Sequence, residues 1–126
     1  MTSLVNVCLN NAKEVEALEA EILAHVAWHG DLSGIECENF LRGSVPGSYL
    51  LREGEKKGQY YLSFVIGDSF SFKHQPFMIT YDNSHAVWGY QNGAHRWATN
   101  LEGLIPMVLH CGPNECYPVI QKAYGK

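Results

Sequence analysis

The sequence predicts an α+β fold: a central antiparallel sheet flanked by two helices, with an extra helix at the N-terminus. Three observations predict it. Val15, Leu18, Ile22 and Val26 recur at spacings of three and four, the period of one helix face. Residues 49–81 hold short runs rich in aromatic and branched side chains, separated by glycine-bearing turns, as successive antiparallel strands require. Leu101, Leu104, Ile105, Val108 and Leu109 then return to helical spacing behind Thr99 or Asn100, either of which can cap a helix. An order of helix, helix, strands, helix and short strand is satisfied by one small sheet with a helix on each face.

The first helix is expected to start at Asn10 or Asn11, with residues 1–10 a strand-like lead or a frayed end. Its acidic residues Glu14, Glu16, Glu19 and Glu21 lie mostly off the apolar stripe and read as a solvated face. That helix either packs on the domain or joins an interface with further protein. Ser33 followed by Glu36 makes a capping box for a second helix, which carries Ile35, Cys37, Phe40 and Leu41 and stops at Gly43. Strands are expected at 49–52, 59–65 and 69–74. Pro76 interrupts the third, so a bulge or an edge belongs there, with a further short strand at 77–81. Residues 82–98 form an insert with Trp88, Tyr90 and Trp97, too long for a hairpin turn and too aromatic for a passive linker. Pro106 falls inside the last helical pattern, and residues 117–120 read as a closing strand.

A chain of 126 residues implies one domain, and a hydrophobic content of 46% is enough for its core. The net charge of −4 argues against a nucleic-acid partner, which would need a basic face, so any anion site must be local. There is no apolar run of membrane-spanning length and no secretory signal pattern, which speaks against a membrane role. Cys8, Cys37, Cys111 and Cys116 are too sparse for a disulfide scaffold, and free thiols in a reducing cytoplasm are expected.

Tyr49, Leu50 and Leu51 are apolar without alternation, as in a strand buried on both faces, and Arg52 follows directly. A buried guanidinium needs an anion. Gly54, Lys56, Lys57 and Gly58 come next, a turn with two more cations and little bulk. An arginine fork beside such a loop fits a dianionic phosphate. The alternative at this point is a surface arginine paired with Glu53 or Glu55.

These motifs, in this order, resemble the Src homology 2 (SH2) domain. The resemblance runs from about Ala27 to Gln121. Trp28-His29-Gly30-Asp31-Leu32-Ser33 looks like the family's opening aromatic-glycine signature, and Glu38, Phe40 and Leu41 like its first helix. Tyr49-Leu50-Leu51-Arg52-Glu53 is close to the family's phenylalanine-leucine-valine-arginine-glutamate strand, and residues 58–63 to its next strand. Phe72-Lys73-His74 is similar to its valine-lysine-histidine, and Asn100, Leu101, Leu104 and Ile105 to its second helix. The resemblance divides the chain into a helical extension at 1–26, an SH2-like domain at 27–121 and a tail at 122–126. It implies a non-enzymatic, cofactor-free module that binds tyrosine-phosphorylated proteins or peptides. Arg52 would clamp the phosphate, Glu53, Gly54, Glu55, Lys56 and Lys57 would wrap it, and His74 would line the ring.

Departures from the family pattern thin the pocket. Gly34 stands where many members have a second arginine, Pro76 where many have a lysine, and Gly54 where a serine is common. Lys56 or Lys57 could supply the missing charge, or both could be solvated loop residues. The connection before the second helix is longer than usual. Its Trp88, Tyr90 and Trp97 could fold over the peptide as a lid, or fill a small satellite core. A degenerate pocket in a structural interaction module is the other reading of these departures. The divergence suggests a bacterial effector segment acting in the cytosol of a eukaryotic host cell. His110, Cys111 and Cys116 are the nearest approach to a metal cluster, but their spacing is not that of structural zinc, and no metal is expected.

Overall fold

The computed structural model describes residues 2–67, 71–112 and 115–120, with side chains from residue 12 onward. The expected strand start at Ser69, the turn at Asn114 and the tail at 122–126 lie outside the described residues. The elements are α1 (Thr2–Leu23), α2 (Gly34–Leu41), β1 (Ser48–Glu53), β2 (Gln59–Ile66), β3 (Ser71–Asp82), β4 (His85–Asn92), β5 (Ala94–Ala98), α3 (Leu101–Leu109) and β6 (Tyr117–Pro118). The strands form one sheet in the order β5-β4-β3-β2-β1-β6. The α+β class is as predicted. The sheet is mixed, however, because β6 pairs parallel to β1 through Ser48 and Tyr117.

Alternation along the strands divides the interior in two. Tyr49 and Leu51 of β1, Tyr60, Leu62 and Phe64 of β2, Phe77 of β3 and Trp88 of β4 face one way. There they pack with Leu18 and Ile22 of α1 and Leu101, Leu104, Ile105 and Val108 of α3. Leu50 and Val65 face the other way, against Cys37 and Leu41 of α2. The extra helix therefore shares the main core with α3. Its backbone is helical from Thr2, so Asn10 and Asn11 lie inside it and do not start it. A cap-type residue within a helix costs at most about 0.7 kcal/mol, which packing of the next turns outweighs.

Ser33 caps α2 as expected, with both halves of its capping box formed. Ile35 is 74% exposed, contrary to its expected apolar role. Cys37 and Leu41, one turn apart, face the sheet, and Ile35 points away from them. Strand β3 runs unbroken through Pro76. The pairing of β3 with β4 ends at Met78 and Gly89, so Pro76 occupies a locally free edge, where a missing N–H breaks no ladder bond. The insert is a regular antiparallel hairpin of β4 and β5, not a loop. Asn83 and Ser84 enter it with φ of 51° and 70°, the backbone of a tight two-residue turn.

Cys111 and Cys116 form a disulfide, which overturns the expectation of free thiols throughout. His110 ends α3 in the left-handed conformation and Glu115 N–H donates to the Gly112 carbonyl, which returns the chain to bonding distance. Cys37 is free and buried.

Candidate anion pocket and adjoining cleft

Register puts the pocket residues on one face. Arg52 pairs with Tyr61 and Ser63 pairs with His74, so these four side chains meet beneath the start of α2. Arg52 is 9% exposed, and its guanidinium lies 4.3 Å over the Tyr61 ring. Its Nε donates to Ser63 Oγ at 3.2 Å, one Nη donates to the Leu32 carbonyl at 3.1 Å, and the other lies 3.5 Å from His74 Nδ1. A guanidinium has five N–H groups. Ser63 and Leu32 take two of them, and three are left, one of these 3.5 Å from His74 Nδ1.

Ser63 Oγ, which accepts from Arg52, lies 2.7 Å from His74 Nδ1, and His74 Nε2 lies 2.9 Å from a Glu38 carboxylate oxygen. Cys37 lies behind this group, and burial pushes its thiol pKa up, against the opposing pull of Arg52 and Ser63. The pocket holds about 570 Å³ and is lined by Asp31, Leu32, Gly34, Arg52, Glu53, Gly54, Glu55, Tyr61 and His74.

Lys56 and Lys57 are exposed on the following turn and do not line the pocket. The loop is pinched: Gly54 N–H donates to the Gln59 carbonyl at 2.8 Å, and a Cβ at Gly54 would fall 2.6 Å from that backbone. No serine fits there without moving the chain. Glu53 N–H is also used, on the Gly30 carbonyl. At Gly34 a Cβ would lie 3.8 Å from Arg52 Nη2 and 4.0 Å from the His74 ring, an ordinary contact, so a side chain is tolerated beside the arginine.

Before Met78 β3 has no β4 partner, and there the sheet splits. A cleft of about 270 Å³ opens between β3 (Gln75, Pro76, Phe77, Met78, Thr80) and the β4–β5 hairpin (Gly89, Tyr90, Gln91, His95, Arg96, Trp97). The Gln75 side-chain amide crosses it, donating to the Gln91 carbonyl at 3.3 Å. A smaller cavity shares Gly54 and Tyr61 with the anion pocket and Pro76, Phe77 and Met78 with the cleft, so it lies between residues of both. Trp97 is 48% exposed on the cleft wall and stacks with His95. Tyr90 lines it too, its phenol pKa raised by burial. Trp88 does not. It is fully buried against Tyr60 and Phe77 and belongs to the core, which corrects its expected place over a peptide.

The sequence model of the family described as SH2 domain matches residues 28–105, well over half of the chain. The chain belongs to the SH2 domain family. Among solved structures it is similar to the solution NMR structure of the SH2 domain of a CRK/CRKL homolog from Monosiga brevicollis. The two share 20% identity over 78% of this chain and 89% of that one, with a TM-score of 0.56, a likeness of fold. A comparison with curated proteins finds no match. SH2 domains are in general phosphotyrosine-peptide interaction modules, not enzymes. In this SH2 domain no helix among the described residues is long and apolar enough to cross a membrane. No group of three or more His, Cys, Asp or Glu side chains gathers as a metal site among them.

Sequence reasoning brought Arg52 and His74 to one place but missed Ser63, Tyr61, Glu38 as the histidine's partner, and the cleft residues His95 and Arg96. Ser63 carried a signal: a lone small polar residue in an apolar strand. Glu38 carried none, because its role depends on where α2 crosses β3.

Proposed function

We propose that this SH2 domain binds tyrosine-phosphorylated peptides, with the phosphate held by Arg52 and the peptide residues that follow laid into the cleft beside β3. The observation that carries the reading is the orientation of Arg52. Ser63 and the Leu32 carbonyl take two of its five N–H groups, while three remain toward the pocket for an anion. Glu55 lines the pocket and its loop amide has no backbone acceptor among the described residues. Glu53 and Gly54 shape the loop, His74 and Tyr61 flank the ring, and Tyr90 and Trp97 wall the downstream path. Lys56 and Lys57 add long-range positive charge at the rim. Such a module works in the cytosol, where its phosphorylated partners are.

The test is a titration with one phosphotyrosine peptide and its unphosphorylated twin, against the wild type and Arg52→Ala. Preference for the phosphorylated peptide, lost on the substitution, supports the clamp; equal or absent binding in all four cases rejects it.

A second reading, an interaction module with a degenerate phosphate pocket, is favoured by one observation. Asp31, Glu53 and Glu55 line the pocket around its one arginine, and Glu38 occupies the histidine. Those carboxylates oppose a dianion. The same titration separates the two readings.

A further inference from the structure

The acidic residues of α1 are not all a solvated face. Glu14 meets the start of β4, with one oxygen 2.9 Å from His85 Nδ1 and the other accepting from Ala86 N–H at 2.9 Å. Glu21 accepts from the Trp88 indole N–H at 2.9 Å and from Leu101 N–H at 2.7 Å. Seven helical residues rise about 10.5 Å, and the three strand residues from His85 to Trp88 about 10 Å, so both carboxylates track one strand. The contacts differ in weight. His85 is largely exposed, and an exposed ion pair contributes little. Trp88 and Leu101 are fully buried, and Glu21 satisfies a donor of each.

Those two donors stand at the root of the β4–β5 hairpin. Trp88 directly precedes Gly89, the last residue of β4 paired with β3, and pairs with Ala98, the last residue of β5. Leu101 starts α3 just after β5 ends. Past this root the hairpin carries Tyr90, His95, Arg96 and Trp97 away from β3 and forms the far wall of the cleft. The root has no slack, since even a Cβ at Gly89 would fall 2.6 Å from Thr80 Cγ2.

We propose that Glu21 is a positioning residue for the peptide cleft. It fixes the root of the β4–β5 hairpin and thereby the width of the cleft against β3. Through Glu21, α1 sets how tightly residues after the phosphotyrosine are held, with no contact to the phosphate pocket. This rests on the phosphopeptide reading above.

The experiment compares wild type, Glu21→Ala and Glu21→Gln with two ligands: free phosphotyrosine, which probes the pocket alone, and a phosphotyrosine peptide with four apolar residues after the phosphotyrosine. Amide exchange of residues 90–96 is followed in each protein without ligand. Glu21→Ala should weaken the peptide about tenfold and leave phosphotyrosine within about twofold, with faster exchange across the hairpin. Glu21→Gln, which keeps one acceptor oxygen, should lie between and serves as the measured variant if the alanine protein does not fold. Equal losses for both ligands, unchanged peptide affinity or unchanged exchange would overturn the proposal. Wild type that binds neither ligand instead removes the phosphopeptide reading, and with it the role assigned to Glu21 in binding.

Discussion

Arg52 donates from Nε to the hydroxyl of Ser63 at 3.2 Å, across the β1–β2 ladder. The bond holds the guanidinium by its base, so its outer N–H groups are aimed before a ligand arrives. Pre-aimed donors avoid the ordering cost of binding. Arg52→Ala should weaken phosphopeptide binding by about 2–5 kcal/mol, the range for removing one partner of a buried charge pair. Ser63→Ala, which keeps the charge and frees its aim, should lose about 1 kcal/mol. Calorimetric titration of both variants checks the ranking. A Ser63 effect as large as that of Arg52 would mean the serine supports the fold and not the aim.

A Cβ at Gly34 would lie in ordinary contact, 3.8 Å from Arg52 Nη2, at the wall of the pocket. Gly34→Arg should place a second fork over the pocket and tighten phosphopeptide binding by about 1.5–3 kcal/mol, the range for charged hydrogen bonds. The gain should shrink as salt is raised. Affinity that stays the same or falls, with the fold intact, would show that the two guanidinium groups repel each other more than they hold the phosphate.

The two insert tryptophans have opposite roles. Trp88→Ala should cost about 3–5 kcal/mol of stability, as for other large buried aromatics. Trp97→Ala, at a half-exposed position, should change stability by no more than about 0.5 kcal/mol but weaken peptide binding. Denaturant melts and peptide titrations of the pair decide this, and a Trp97 variant with full peptide affinity removes that residue from the cleft's function.

His25 gives stability an acid-side dependence. Burial lowers its pKa from the ordinary 6.5, while Glu21 and Glu102 pull weakly the other way. Its Nδ1 accepts from Ala27 N–H at 3.0 Å, which requires the neutral ring. A depressed folded pKa means the unfolded chain takes up the proton first. The stability from His25 is therefore complete above pH 6.5 and is lost as pH falls through the lower folded value. His25→Asn, which keeps a side-chain acceptor, should flatten unfolding free energy measured between those limits. An unaltered slope would place the dependence on another group.

Much of the fold was legible because local chemistry specified it. The Ser33–Glu36 capping box, the Asn100 cap and the apolar stripes of α1 and α3 are short-range patterns that need no knowledge of the rest of the chain. Arg52 was legible for the same reason, since a guanidinium after a buried apolar run demands an anion wherever the strand is placed.

What the tertiary structure decided were the relations between distant segments. Whether Trp88 or Trp97 faces a peptide turns on strand register, because a shift of one residue exchanges the two faces. Glu38 reaches His74 across 36 positions of sequence, and Glu21 reaches Leu101 across 80. Neither pair leaves a trace in spacing or composition. The disulfide was hidden because it depends on the turn after α3 bringing Cys116 back to Cys111. The sequence by itself determined the fold class, the two helices of the domain, the first two strands and the single arginine around which the site forms. Only the folded chain determined which carboxylates and aromatics share that site, because hydrogen bonds and packing act through distance in space, and the sheet register sets that distance.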